Sequence, residues 1–448
     1  MELSRYTSLV EVDPGAWIAF NHTRGAWIRP SSSVLCYLRG DATVPVSRLQ
    51  RHLLQQKGFC VVSRQAELDM VRFKLQYVHF GGYGLRYTFV MTYACNLRCP
   101  YCYEEGARPK RASMSPEMGR RVVEAIKREA RESGIKDIGL TLYGGEPLLN
   151  LRVASSMLRE ICRWADSEGA RVRTSLISNG VLVTEAAIKA LGPSLDTAQL
   201  TLEGAPEHHD RVRVGPRGAP TFARILAAAQ LLVEHGIVVS FRVQLSPQSI
   251  DGAEGVLQAL ADARLLDKVG LYFFPIMDIQ KVCSAQGLQC YHGYFSPEIR
   301  RRLFDLALRY GVDCFPLPAP VWVRPYCGFI NLHAWLVDPL GHKYKCVSLV
   351  GDERWIAGSV VGDPTPLERQ RWLAREMVLL NRFGHDSPAC VECESLPACD
   401  GGCGYLGRDE AGRWNPNCDM HQDLLREWIT YRYRLLRQRG EEGQIPCV

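Results

Sequence analysis

One arrangement recurs from residue 85 to about 310: an apolar strand, a loop, an amphipathic helix. Strands are predicted over 86–92, 138–143, 172–177, 198–202, 238–245 and 269–274, each followed by a helical stretch. Ser115-Pro116-Glu117 and Ser296-Pro297-Glu298 each supply a cap, a proline at the first helical position and an acid near the positive end of the dipole. Thr184 and Thr221 also stand at helix starts, while Gly192 and Gly236 stop helices. Near-continuous apolar strands alternating with helices argue for a parallel sheet or barrel. Six such units are two short of a complete eightfold barrel, so an α/β partial (β/α)6 barrel is expected.

The loop straight after the first strand carries Cys95, Cys99 and Cys102, spaced C-x3-C-x2-C, with Tyr101 just before the last. Three thiolates on one loop can hold three irons of a cubane cluster and leave the fourth iron without a protein ligand. An open coordination position marks a reactive metal site rather than a structural one. Zinc wants four ligands, usually as two pairs, and here there are three cysteines and no nearby histidine. A disulfide scaffold is typical of short secreted domains, whereas this chain has 448 residues and a polar start at Met1-Glu2-Leu3-Ser4-Arg5. That length suits two or three domains of ~150 residues each. With 46% hydrophobic and 23% charged residues the chain can bury a large core without help from its 17 cysteines. The net charge of +6 is spread without a basic block, which reads as mild affinity for acidic partners and not as a nucleic-acid footprint. No apolar run reaches the ~20 residues that span a bilayer, so no membrane association is expected. Thiolate ligands must stay reduced, which places the protein in the cytoplasm.

At these residues the sequence resembles the radical S-adenosylmethionine (SAM) superfamily. There the open iron binds the amino and carboxylate groups of SAM, and an electron from the cluster cleaves the sulfonium to give a hydrogen-abstracting 5′-deoxyadenosyl radical. The resemblance implies that the cluster loop sits at the C-terminal rim of the barrel strands. Tyr143-Gly144-Gly145-Glu146-Pro147, after the second strand, matches the family's GGEP stretch, which holds the SAM amino group. Two glycines at a strand end let backbone approach a ligand closely. Tyr101 matches a position beside the adenine, and Ser178-Asn179-Gly180, ending the third strand, a stretch near the ribose. Glu203 stands where many relatives carry aspartate. Thr201 and Arg213 are the expected contacts to SAM hydroxyl and carboxylate groups, since an arginine fork grips a carboxylate at two points. His208 and His209 read as loop polar residues rather than bases.

Beyond residue 310 the chain is rich in cysteine. Cys327, Gly341 and Cys346 give C-x13-G-x4-C; Cys390, Cys393, Cys399 and Cys403 give C-x2-C-x5-C-x3-C, followed by Cys418. On spacing alone two zinc sites are the rival reading. The order of the seven cysteines is similar to that of the SPASM domain, a C-terminal extension of radical SAM enzymes that act on peptides and proteins. The resemblance assigns Cys390, Cys393, Cys399 and Cys418 to one fully ligated auxiliary cluster, and Cys327, Cys346 and Cys403 to three corners of another. Some relatives supply the fourth corner from a cysteine about six positions before the first, where this chain has Val321. Cys314 is the nearest upstream alternative, with Cys290 and Cys283 further off, and a vacant corner is equally open. Cys36, Cys60 and Cys162 read as core residues. Cys447 has no assignment.

Residues 1–80 look like a small α+β unit. Short strands are predicted over 8–12, 16–20 and 26–29, with turns at Asp13-Pro14-Gly15 and at 21–25, then helices over 31–38 and 46–56, ending at Gly58. This order resembles the recognition domains that bind a leader peptide as an extra strand on a sheet edge; the plainer alternative is a packing module. The domains are thus expected at 1–80, 85–310 (radical SAM) and 311–435 (SPASM). The function implied is a maturase that installs a C–S or C–C crosslink in a ribosomally made precursor peptide. It would use three [4Fe-4S] clusters, SAM and an external electron donor of flavodoxin or ferredoxin type. Auxiliary clusters suit net two-electron oxidation because they can take the electron left on the substrate. The alternatives are an anaerobic sulfatase maturase, a peptide epimerase, or a non-catalytic iron–sulfur scaffold. Sulfatase maturases place an aspartate base directly after the cysteine matching Cys346, where this chain has Val347, with Asp352 further on.

Overall fold

The computed structural model describes residues 1–81, 84–102, 112–314, 320–323, 327, 330–409, 413–418 and 424–448. The chain begins with β1 (Glu2–Leu3), β2 (Thr7–Asp13), β3 (Ala16–Asn21), β4 (Ala26–Ile28), α1 (Ser32–Leu38), α2 (Arg48–Gln56), β5 (Cys60–Val61) and α3 (Arg64–Phe80). There follow β6 (Leu85–Val90), α4 (Pro116–Ser133), β7 (Asp137–Tyr143), α5 (Leu151–Glu168), β8 (Arg171–Ser178) and α6 (Glu185–Leu191). Next come β9 (Thr197–Glu203), α7 (Pro206–Val212), α8 (Phe222–Glu234), β10 (Val238–Leu245), α9 (Ala253–Asp262), β11 (Gly270–Pro275), α10 (Val282–Ala285) and α11 (Pro297–Arg309). The last stretch holds β12 (Ala334–Val337), β13 (His342–Tyr344), β14 (Gly358–Ser359), α12 (Pro366–Leu380), α13 (Pro388–Val391), α14 (Leu396–Cys399) and α15 (Leu424–Gln438).

These elements form two compact units. One comprises Met1–Gly81, Ser296–Ile330 and Asn381–Val448; the other comprises Gly82–Phe295 and Asn331–Leu380.

In the first unit β2, β3 and β4 make an antiparallel sheet in that order. Ser47 caps α2 through a capping box with Gln50, and Ser31 and Ser63 cap α1 and α3. Ile28, Val34, Leu54 and Phe59 are fully buried and centre the core. α15 packs on β2, where Arg434 Nη2 donates to the Val12 carbonyl (3.1 Å), and Arg300 of α11 pairs with Glu427 of α15 at 2.9 Å.

The second unit is built on a nine-stranded sheet in the order β11-β10-β9-β8-β7-β6-β12-β13-β14. The six strands β6 to β11 are parallel and in sequence order, matching the six predicted from the repeat. Ser115 and Thr184 cap their helices as expected, as Ser296 does for α11 of the first unit. Thr221 does not cap α8: Asp210 accepts from the Thr221 and Phe222 amides instead (2.7 and 2.9 Å). The strands are not uniformly apolar, as the sequence reading had them. One face, with Leu140, Leu200, Phe241 and Phe273, is buried; the other, with Thr141, Gln199, Thr201, Arg242 and Tyr272, is half-exposed. α5, α8 and α9 pack against β8, β9 and β10. Helices thus bury one side, and the other side is the polar, half-exposed one. β12 to β14 were not anticipated. β12 extends the sheet parallel to β6, and β13 and β14 follow antiparallel.

The join between β6 and β12 is held by Glu129 of α4. Its carboxylate accepts from Tyr87 Oη, His333 Nδ1 (3.1 Å) and Trp335 Nε1 (3.2 Å) and lies 3.5 Å from Lys343 Nζ. Burial alone would raise its pKa, but these hydrogen bonds and the Lys343 charge win and bring it down to about 2. A carboxyl depressed on folding adds stability above its ordinary value of 4.5, lost as pH falls towards 2. The difference corresponds to on the order of 3 kcal/mol. Urea unfolding between pH 6 and pH 2 should show the unaltered chain losing about that much more than Glu129→Gln, and parallel curves would refute the assignment.

Candidate active site at the strand ends

The cysteine loop leaves the end of β6. Cys95 is exposed, Cys99 buried and Cys102 half-buried. The Cys102 amide donates to the Cys99 carbonyl (3.1 Å), and Cys95 Sγ receives the Leu97 amide (3.4 Å) and Asn179 Nδ2 (3.7 Å). Residues 103–111 lie outside the described residues.

Gly144 and Gly145 follow β7, and what they accommodate is protein backbone. A Cβ on Gly144 (φ +132°) would lie 2.4 Å from the Thr92 carbonyl oxygen, and one on Gly145 2.3 Å from that of Ala94. The Gly145 amide donates to Thr92 and the Glu146 amide to Ala94, both at 2.9 Å. The turn is therefore stitched to the segment that leads into the cysteines.

Glu146 is fully buried. Oε1 accepts from the Leu148 amide (3.1 Å), Oε2 from the Asn179 amide (2.9 Å), and Ser178 Oγ lies 3.0 Å from both. Burial pushes this carboxyl up to about 7, against the pull of those amides, the Ser178 hydroxyl and the Arg213 charge. Asn179 reaches back to Asn96 Oδ1 (2.8 Å). The side chains of Glu146, Ser178 and Asn179 thus tie the loops after β6, β7 and β8 into one frame, a positioning role that the motif alone does not reveal.

The far side of the frame is built from β9 and α7. Arg213 Nη1 donates to Tyr101 Oη at 2.9 Å, joining the cysteine loop to the residue after α7. Residues 206–212 are helical rather than a loop, and His209 is fully buried. Its Nδ1 accepts the Glu203 amide (3.2 Å), so the ring proton sits on Nε2 and meets Thr221 Oγ1 (3.1 Å). The Thr221 hydroxyl in turn donates to the Arg213 carbonyl (2.8 Å). Burial and the Arg213 charge push His209 down to about 2, so it is a neutral strut. The helix could have been read from Ala205-Pro206-Glu207, a proline start followed by an acid. Thr201 stands on the half-exposed face of β9, in register with Arg242 of β10.

Glu203 and Arg213 are almost wholly buried, and Glu203 Oε2 and Arg213 Nε have no hydrogen-bond partner among the described residues. A buried free acceptor and a buried free donor beside three cysteines fit a small polar molecule carrying both charge types, as SAM does, next to a cluster.

Residues 89–265 match the Radical SAM superfamily. The chain carries a radical SAM domain. Over 421 residues it is 19% identical to the radical SAM cyclopropyl synthase TigE of Paramaledivibacter caminithermalis, spanning 87% of this chain and 84% of that one. It is 24% identical to the mycofactocin maturase MftC of Mycolicibacterium smegmatis over 70% of this chain and 77% of the other. It is 26% identical to the serine-type anaerobic sulfatase-maturating enzyme of Klebsiella aerogenes over 69% and 77%. In fold it is similar to native anSMEcpe with bound AdoMet and Cp18Cys peptide (TM-score 0.57, 18% identity, 81% and 100% covered). It is also similar to Streptococcus suis SuiB bound to precursor peptide SuiA (TM-score 0.52, 13% identity, 94% and 99% covered).

Of the C-terminal cysteines, Cys390 and Cys399 are buried, Cys393 and Cys403 half-buried and Cys418 exposed. Burial raises the Cys390 thiol, and the neighbouring Cys418 and Cys393 raise it further; burial likewise raises Cys399, with Cys393, Asp400 and Cys390 adding to it. Cys390 thus feels Cys393 and Cys418, and Cys399 feels Cys390 and Cys393. Among the described residues no three His, Cys, Asp or Glu side chains converge on a single-ion site. Cubane ligands, each on its own iron, need no such convergence. Cys327 and Cys403 lie in the first unit and Cys346 in the second. Cys314 is buried, its amide donating to Tyr431 Oη (3.3 Å) and burial raising its thiol. Cys283 and Cys290 are disulfide-bonded to each other. Cys60 is buried in the first unit's core, whereas Cys36 and Cys162 are only half-buried. No helix among the described residues is long and apolar enough to cross a membrane.

Proposed function

We propose that the chain is a radical SAM maturase that installs an oxidative crosslink, C–S or C–C, in a ribosomally made precursor peptide. The observation that carries this reading is the frame at the strand ends: Cys95, Cys99 and Cys102 on one loop, held by Asn179 at Cys95 and joined through Tyr101 to Arg213, with a buried acceptor on Glu203 and a buried donor on Arg213 left without hydrogen-bond partners among the described residues. Cys95, Cys99 and Cys102 would hold the SAM cluster. Tyr101, Thr201, Arg213 and the backbone of Gly144 and Gly145 would meet SAM, with Glu146, Ser178 and Asn179 holding them in place. When bound, the cluster and SAM supply a 5′-deoxyadenosyl radical. The half-exposed polar face of β8 to β11 would seat the peptide next to it. An auxiliary cluster, when bound, would supply an acceptor for the electron left on the peptide, so that a crosslink could form with the net loss of two hydrogens. Cys390, Cys393, Cys399 and Cys418 would ligate one such cluster, and Cys327, Cys346 and Cys403, with Cys314 or a vacant corner, another. The N-terminal sheet would recognise the leader segment, and the protein would work in the cytoplasm with a flavodoxin- or ferredoxin-type donor. The relatives TigE and MftC and the peptide-bound SuiB support a peptide substrate.

Sulfatase maturation is the second reading, favoured by the likeness to anaerobic sulfatase maturases. It lacks its base: Val347 follows Cys346, and both Asp352 oxygens are held by Arg354 at 2.6–3.1 Å. Anaerobic reconstitution, dithionite and SAM should yield 5′-deoxyadenosine. Any small peptide found encoded beside the gene, added to the same mixture, should lose two hydrogens per crosslink. No 5′-deoxyadenosine would refute both readings, and conversion of a sulfatase peptide to formylglycine would select the second.

A further inference from the structure

β4 is an edge strand, paired on one side with β3 through Ala19–Ile28, Phe20–Trp27 and Asn21–Ala26. Just beyond its end the other side is taken by the chain itself. Arg29 and Cys447 form a parallel bridge, in which the Arg29 amide donates to the Pro446 carbonyl (2.9 Å) and the Val448 amide to the Arg29 carbonyl (3.1 Å). The Ser31 amide adds a third bond to the Val448 carbonyl (2.7 Å). Val448 enters the core beside Ile28, Val34, Leu38 and Leu54, while Cys447 stays exposed.

This is strand addition at a sheet edge, carried out in cis. Backbone hydrogen bonds give the attachment and one aliphatic side chain sets the register, the same means by which a foreign extended peptide would bind. The attachment is slight. Three backbone bonds and one small side chain hold residues 446–448, Pro446 has no N–H to offer, and the approach from α15 passes Gly440 (φ +69°) and Gly443. Ile445, fully buried, marks where release would stop.

We propose that the edge after β4 is an exchangeable strand-docking site held in cis by residues 446–448. An extended segment of the precursor peptide, with an aliphatic residue in the place of Val448, docks by displacing them. The substrate part of this claim rests on the peptide-maturase reading.

Hydrogen exchange on the unaltered chain tests it without mutation: the Arg29 and Ser31 amides should exchange at least about 10-fold faster than amides within β3, through local release. A fluorescein-labelled peptide copying residues 441–448 should bind Val448→Asp, whose buried carboxylate expels the segment, at least about 10-fold tighter than the unaltered chain. Equal exchange rates, equal or absent peptide binding, or loss of β3 protection in Val448→Asp would each show a permanent part of the sheet and overturn the proposal. SAM cleavage by the same preparations separates the two claims. A chain that cleaves SAM but shows no exchange loses only the docking site, and one that exchanges but cleaves no SAM loses only the maturase reading.

Discussion

Gly145→Ala is expected to lower SAM cleavage by about 100-fold or more. The new methyl would sit 2.3 Å from the Ala94 carbonyl oxygen and 2.9 Å from that of Tyr93, both backbone atoms with no rotamer to turn away. Reaching ordinary contact moves the turn off the cysteine loop by about 1 Å, and a displacement of that size near reacting atoms costs on the order of 100-fold. The same shift breaks the 2.9 Å bonds from Gly145 to Thr92 and from Glu146 to Ala94. Iron at the C-terminal cysteines should be retained while the paramagnetic signal that responds to SAM is lost. Gly134→Ala is the control: it occupies a left-handed helix cap (φ +68°) with nothing within 4 Å of its Cβ, so it should cost about 1 kcal/mol of stability and leave cleavage intact. Equal activity of the two variants would show that the Gly145 turn does not set the site.

His209→Leu is expected to raise the KM for SAM about 10-fold or more, with a smaller change in kcat. Leucine fills the space but leaves the Glu203 amide without its acceptor and Thr221 without its donor, both in the interior. Two unsatisfied buried groups cost about 2–6 kcal/mol. Thr221 then loses its fixed orientation towards the Arg213 carbonyl, and the guanidinium beside Tyr101 is free to drift. A general base would show instead a collapse of kcat and a pH profile that changes with the substitution. With a pKa near 2, His209 predicts a profile unaltered between pH 6 and 8. His209→Gln, which can still offer an acceptor and a donor, should recover part of the KM. A loss of stability without any KM effect would reduce His209 to packing.

The repeat of strand and helix was legible because each signal is local: a run of apolar residues, a Ser-Pro-Glu start, a glycine stop. β10 falls where the pattern places it, over Val238–Leu245. What the sequence withheld is non-local. β12 pairs with β6, roughly 250 residues earlier, and four apolar residues over Ala334–Val337 carry no period that announces a partner. At the rim the residue types were readable and their mutual contacts were not. Gly144-Gly145-Glu146 reads as a ligand cradle, yet the glycines yield to backbone and the carboxylate is consumed by Ser178, Asn179 and Leu148. His209 looked like a loop residue because its ring's two partners, the Glu203 amide and the Thr221 hydroxyl, are brought to it only by the fold. Cys283 and Cys290, the more distant upstream candidates for the fourth cluster ligand, are joined to each other instead.

The seat of β12 has a consequence for how the chain comes off the ribosome. Until residue 337 has emerged, β6 is the border of an unfinished sheet, with a bare row of amides and carbonyls directly upstream of the cysteine loop. An uncovered border of this kind recruits stray strands from other chains. A fragment cut after residue 310, where the repeat ends, would keep every βα unit and still precipitate, whereas one carried through Leu380 would close its border with its own residues.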